Sequence, residues 1–242
     1  MKLLARLSIA AALTCVAAAA SAASVLAQTP QGGYTTNVLG GSAWTSFTAQ
    51  MEASHTLART ADFSSLPQLL GYDAVWVDQE LNNALSPAEV AALQSYVAAG
   101  HRAVLVAENN SWPAWNQGVM DVVGGSLTPD CNWGVGTPSV ANSLTAGVGT
   151  VQNICGSVLQ ATGGAQMLFS NGMAALYQIG AGQALVIADS NWNDNSFLAN
   201  ENNALFAQNV IGWLQPVPEP QTYAMLLLGV ASLALVRRRR RD

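Results

Sequence analysis

Three stretches of this chain are apolar at every position: Ala74-Val75-Trp76-Val77, Ala103-Val104-Leu105-Val106 and Ala184-Leu185-Val186-Ile187. A half-solvated strand alternates apolar and polar residues, so unbroken runs predict strands covered on both faces, as in a parallel sheet between helices. Between the first two runs, Ser86-Pro87-Ala88-Glu89 supplies an N-cap serine, a proline at the first helical position and an acid in the first turn. Val90, Leu93, Val97 and Ala98 follow at helical spacing, and Gly100 ends the helix. Strand, helix and strand in this order make a right-handed crossover unit. Residues 37–40 and 56–59 are further strand candidates with a helix over 44–54 between them, and a closing helix over 203–214 turns Leu205, Phe206, Val210 and Trp213 inward. Residues 126–182 differ, being rich in Gly and Thr with short apolar pieces at 148–151, 166–169 and 175–179. This pattern predicts antiparallel hairpins inserted in, or extending, the sheet. The expected class is α/β: a mostly parallel sheet with helices on both faces and a β-rich insertion.

The two ends have a different grammar. Lys2 and Arg6 precede an apolar stretch over 7–20 followed by small residues; this is a secretory signal peptide, too short for a permanent anchor. Cys15 follows Leu13-Thr14 rather than a small residue, so it does not read as a lipidation site. Cleavage fits after Ala22 or Ala27, with the second preferred, giving a leader over 1–27 and an exported domain over 28–215. At the other end stand Val217-Pro218-Glu219-Pro220, 16 uncharged residues over 221–236 and Arg237, Arg238, Arg239, Arg240 and Arg241. The prolines favour an extended entry. As a helix the uncharged run would be about 24 Å long, a short transmembrane helix against a hydrocarbon core of about 30 Å. The arginines stop translocation and stay cytoplasmic, leaving everything upstream outside.

The order Val-Pro-Glu-Pro, short apolar helix, arginine cluster resembles the PEP-CTERM sorting signal of Gram-negative, exopolysaccharide-producing bacteria. The resemblance covers 217–241 and implies that Pro218, Glu219 and Pro220 are recognised by an exosortase in the inner membrane, which delivers the protein to the cell surface or extracellular matrix. The sorting region is accordingly placed at 216–242.

Setting these segments aside changes the charge picture. The whole chain carries a formal −5, but seven of its nine basic residues lie in the terminal segments. Residues 28–217 hold Arg59 and Arg102 against twelve acids, a formal −10, with no lysine. Phosphate backbones need clustered cations, so nucleic acid is excluded as a partner. An acidic surface suits solubility outside the cell. Cys131 and Cys155 remain in the exported part, where an oxidising compartment favours a disulfide worth about 3 kcal/mol in chain entropy. A catalytic thiol would need a nearby base, and neither His55 nor His101 is close in sequence.

A second resemblance spans most of 36–214. Gly71-Tyr72-Asp73 before the first apolar run, Ser86-Pro87 through Gly100, Gly182-Gln183 before the third run with Asp189-Ser190 after it, and Glu201-Asn202-Asn203 through Trp213-Leu214 look like the flavodoxin-like fold of the class I glutamine-amidotransferase-like superfamily. Active members carry a nucleophilic cysteine on a sharp turn after the strand matching 103–106. Here that turn reads Ala107-Glu108-Asn109-Asn110-Ser111, so the scaffold is implied and the amidotransferase chemistry is not.

In open parallel sheets, ligands bind beyond the carboxyl ends of the strands. Those ends bring Trp44, Asp78, Glu80, Glu108, Asn109, Trp112, Asp189, Asn191 and Trp192 to one rim. Carboxylates and amides hydrogen-bond hydroxyls and an indole face packs on a sugar ring, so a carbohydrate-binding rim is the motivated expectation. The competing structural role is that Asp and Asn hold turns and Trp closes cores. Asp78, Glu108 and Asp189 could instead supply the carboxylate pair of a glycoside hydrolase. Asp189, Asn191, Asn193 and Asp194 are oxygen ligands for calcium, but lack the glycine and terminal glutamate of an EF-hand loop. His55 and His101 are too few for zinc, and His101 reads as an exposed turn residue. The expectation is a non-catalytic binding or structural domain without cofactor or metal, with a polysaccharide hydrolase as the alternative.

Overall fold

The computed structural model describes residues 22–29, 39–78 and 83–215. The expected sorting motif (217–220), spanning helix (221–236) and arginine cluster (237–241), Glu80 and most of the leader lie outside the described residues. Among the described residues no helix is long and apolar enough to cross a membrane.

The main sheet has seven strands. In chain order the elements are β1 (Ser24–Gln28), α1 (Thr45–Ser54), β2 (Thr56–Thr60), α2 (Leu66–Leu69), β3 (Ala74–Val77), α3 (Pro87–Ala98), β4 (Arg102–Val106) and α4 (Pro113–Val123). Then come β5 (Leu127–Asn132), β6 (Val135–Gly136), β7 (Val151–Gln152), β8 (Gly156–Leu159), β9 (Gln166–Met167), β10 (Ala174–Ile179), β11 (Gly182–Ile187) and α5 (Asn203–Trp213). The sheet order is β2-β1-β3-β4-β11-β10-β9. β2, β1, β3, β4 and β11 pair in parallel, while β10 and β9 add antiparallel on the β11 side. Counted alone, the parallel strands run 2-1-3-4-5, the flavodoxin-like order.

The three apolar runs are β3, β4 and β11, and they alternate between two cores. Trp76, Val104, Val106, Leu185 and Ile187 pack with Phe47 and Met51 of α1 and Phe206 and Val210 of α5. Val75, Val77, Ala103, Leu105 and Val186 face the other side, against Leu93 and Tyr96 of α3 and Val119 and Met120 of α4. Helices therefore cover both faces. At the start of α3, Ser86 Oγ accepts the Glu89 N–H at 3.2 Å and Glu89 Oε2 accepts the Ser86 N–H at 2.8 Å; this closes a capping box.

One expectation is corrected. The first strand of the sheet is Ser24–Gln28, not 37–40, of which Leu39 and Gly40 form a turn. β1 lies between β2 and β3, and four of its five residues precede Gln28. The 126–182 region does both things expected of it: β9 and β10 extend the main sheet, while β5 with β8 and β6 with β7 form two separate hairpin-like pairs.

α4 is set by one close approach. A Cβ on Gly118 would come 2.6 Å from the backbone N of Leu85. Gly to Ala in a helix ordinarily gains up to about 1 kcal/mol, but here the contact is backbone and cannot swing aside. Gly118→Ala is expected to lose about 1–3 kcal/mol of stability in urea denaturation; a gain would show that Leu85 yields freely.

Candidate functional site

The carboxyl ends of β3, β4 and β11 bring Asp78, Glu108 and Asp189 to one edge, but these acids turn inward. They are 1%, 2% and 0% exposed. Glu108 Oε1 accepts the Ser190 N–H at 3.2 Å, and Oε2 accepts the Asn109 N–H at 3.1 Å and its side-chain amide at 3.3 Å. Asp189 Oδ1 accepts the Asn191 N–H at 2.7 Å, and Oδ2 accepts the Ile154 N–H. The Asp78 N–H donates to Gln28 Oε1 at 3.1 Å. The Glu108 and Asp189 carboxylates staple the loops after β4 and β11 to each other and to the 153–157 segment, because the N–H groups of turning backbone need acceptors once they are buried.

Their burial has an electrostatic consequence. Desolvation pushes the Glu108 carboxyl above its ordinary value, partly offset by hydrogen bonds from Ser190 and Asn109. The Asp189 carboxyl is pushed well above its ordinary value, first by burial and then by the neighbouring charge of Glu108. The two arginines of the domain are engaged elsewhere. Arg59 Nη1 donates to the carbonyls of Leu39 and Gln28, and Arg102 Nη1 to those of Trp213 and Gln215.

The turn that bears the nucleophile in amidotransferases is pinned from all sides. Asn116 Oδ1 accepts the Glu108 N–H at 2.7 Å while its Nδ2 donates to the Glu108 and Asn109 carbonyls at 2.8 and 3.1 Å. Ser157 Oγ donates to the Glu108 carbonyl at 2.6 Å, and Trp115 Nε1 to that of Val106 at 2.7 Å. Among the described non-glycine residues only Cys155 and Glu201 have positive φ, so 107–111 does not form a strained elbow. Cys155 is bonded to Cys131 in the expected disulfide.

The predicted rim is largely closed. Trp44 is 3% exposed and donates through Nε1 to the Ser190 carbonyl at 2.8 Å, and Trp192 is 0% exposed, packed against Phe47 and Phe206. Both indoles serve the core, which corrects their placement as open sugar platforms. Asn109, Trp112 and Asn191 stay half-buried at the edge. Of the calcium candidates, Asp194 Oδ1 accepts the Ser196 and Phe197 N–H groups at 2.7 and 3.0 Å, while the Asn193 side chain is buried without a hydrogen-bond partner. His101 is half-buried and stacks on Tyr96 at 4.4 Å, rather than standing exposed in a turn. Two surface pockets of about 360 and 390 Å3, one at Arg102 and Trp213 and one at Gln94 and Val123, include none of the three acids.

Sequence reasoning passed over Trp133. It is 57% exposed and meets Phe197 edge to face, with centroids 5.9 Å apart and planes at 82°. Val135, two residues further on, is 50% exposed. The Gly134 carbonyl accepts the Asn153 N–H at 2.9 Å and the Asn171 amide at 3.0 Å, and the Ile154 N–H reaches Asp189. This surface therefore sits on the loops outside the carboxyl end of β11. The available signal was a tryptophan isolated between Asn132 and Gly134 in a region with no apolar period.

The family model described as the PEP-CTERM protein-sorting motif matches residues 216–241. The chain therefore carries the sorting signal of an exported exosortase substrate. No curated protein matches the sequence. Among solved structures, the mmIFT52 N-terminal domain superposes with a TM-score of 0.64 at 15% identity, over 81% of this chain and 99% of that one. A protein of Bacteroides uniformis described as ThuA-like gives 0.54 at 15%, over 79% and 90%. A protein of Thermoplasma acidophilum described as a GMP synthase subunit gives 0.50 at 9%, over 80% and 94%. At these identities the likeness is one of fold, and it includes the amidotransferase-like fold.

Because folding raises both buried carboxyl pKa values, the folded state holds protons that the unfolded chain has released. This cost is absent below the ordinary values of 3.8 and 4.5, grows as pH rises above them, and is complete above the raised values. Thermal stability is thus expected to fall from pH 5 to pH 8. Glu108→Gln, which removes the charge facing Asp189, should flatten that slope; an unchanged slope would show that the pair is not its source.

Proposed function

We propose that the exported α/β domain is a non-catalytic binding module that engages neutral extracellular polysaccharide through Trp133 and Phe197, at the cell surface or in the matrix to which its sorting signal directs it. The exposed indole of Trp133 carries this reading. An indole face and the apolar face of a sugar ring share a flat, weakly polar surface, and neighbouring amides and carboxylates can bind hydroxyls. The Cys131–Cys155 disulfide lies two residues from Trp133, and the Gly134 contacts hold the following backbone, so little ordering would remain to be done on binding. A lysine-free, acidic body repels anionic chains, which favours a neutral glycan.

The absence of catalysis in this reading rests on how the acids are used. Glycoside hydrolysis needs two carboxyls flanking a bond in reach of water. Glu108 and Asp189 are instead buried and already accept backbone N–H groups from four residues.

A glycan array probed with the exported protein tests the reading. Binding to at least one neutral glycan is expected, with Trp133→Ala weakening it by about tenfold or more while leaving the fold intact. Wild-type protein that binds no glycan, or a variant that binds equally well, would overturn it.

A further inference from the structure

β1 decides where the leader must end. Ala23, Leu26, Ala27 and Gln28 are at most 2% exposed, as is Val25, whereas Ala22 is exposed. Ser24 is tied to Asp73 on both sides: its N–H and Oγ–H donate to Asp73 Oδ2 at 2.8 and 2.7 Å, and the Asp73 N–H donates to its carbonyl at 3.0 Å. Cleavage after Ala27 would delete Ser24, Val25, Leu26 and Ala27, four of the strand's five residues. An inner strand would be lost, and β2 and β3 would no longer have a common neighbour.

We propose that the leader is removed by hydrolysis of the Ala22–Ala23 peptide bond and that the new amino terminus docks on His55. Water supplies the oxygen of the Ala22 carboxylate, and Ala23 leaves as an amine that takes up a proton; the membrane signal peptidase is the catalyst. Ala20-Ser21-Ala22 places small residues at both positions such a peptidase reads. Cleavage acts on the unfolded, translocating chain, so burial does not shield the later site. Of the two candidate sites, only cleavage after Ala22 leaves a chain that keeps the strand on which the sheet is built.

His55 is arranged to receive that terminus. The Ala23 N–H donates to its Nδ1 at 3.3 Å, and its Nε2 lies 2.9 Å from the Ile211 carbonyl. An accepting Nδ1 places the ring proton on Nε2, which donates to Ile211. One imidazole thus joins the start of the domain to α5, the helix that leads to the sorting signal. After cleavage the Ala23 amine retains a hydrogen for the same bond.

The chain offers a clean test, because its single lysine is Lys2 and leaves with the leader. The α-amine is then the one primary amine of the processed protein. Full-length protein expressed in a Gram-negative host and recovered after export should give an intact mass and an amino-terminal sequence starting at Ala23; a start at Gln28, or a retained leader, overturns the proposal. Ala22→Glu should accumulate precursor, and folded protein starting at Gln28 from that variant would also overturn it. Acylation of the α-amine should be about tenfold slower in folded than in urea-unfolded protein, the scale of one buried hydrogen bond; equal rates would remove His55 as the dock.

Discussion

In a domain with twelve acids and two arginines, both arginines bind backbone carbonyls, and the buried carboxylates Glu108 and Asp189 take backbone N–H groups instead. Moving an unpaired carboxylate out of water costs several kcal/mol. Glu108 and Asp189 meet the cost with backbone N–H groups and a raised affinity for protons. Each such bond requires a turn whose amides converge, so the acids dictate the shape of 108–111, 153–157 and 189–191. The two arginines bind carbonyls elsewhere, near the strand ends. Gly156 shows how tight the result is: a Cβ there would lie 2.2 Å from the Ala188 carbonyl oxygen and 2.7 Å from Asp189 Cβ.

Closing that edge also relocates whatever surface remains for a ligand. With Trp44 and Trp192 drawn into the core, the loops that the acids hold become a base instead of a cleft. The disulfide and the Gly134 contacts then raise Trp133 above it. The acids that suggested a hydrolytic pair accept N–H groups of the loops around them, and the exposed aromatic lies beyond those loops.

How much was legible depended on whether a residue's role was local. β3, β4 and β11 were visible because four unbroken apolar residues have few other uses, and α3 because its cap is written in consecutive residues. β1 was hidden because Val25, Leu26 and Ala27 resemble the end of an apolar leader, and Ala27 offers a second small residue at which cleavage fits. α4 was missed because Asn116 and Gly118 interrupt its apolar period. The first binds the turn after β4 and the second admits Leu85, contacts made only once the chain is folded. For the site, sequence could place the acids at strand ends, but the direction of each side chain depended on amides as many as 82 residues away, as for Ser190 and Glu108.

The positions of the two ends tie the fold to its sorting. Ala23 enters at the amino end of β1. Arg102, the first residue of β4, bonds to the Gln215 carbonyl at 3.0 Å and lies 5.0 Å from the Trp213 ring centre. Both termini therefore leave from the amino edge of the parallel sheet, opposite the loops that carry Trp133. The pairing of β1 with its neighbours thus sets the sheet, and the sheet sets which edge holds both ends of the domain.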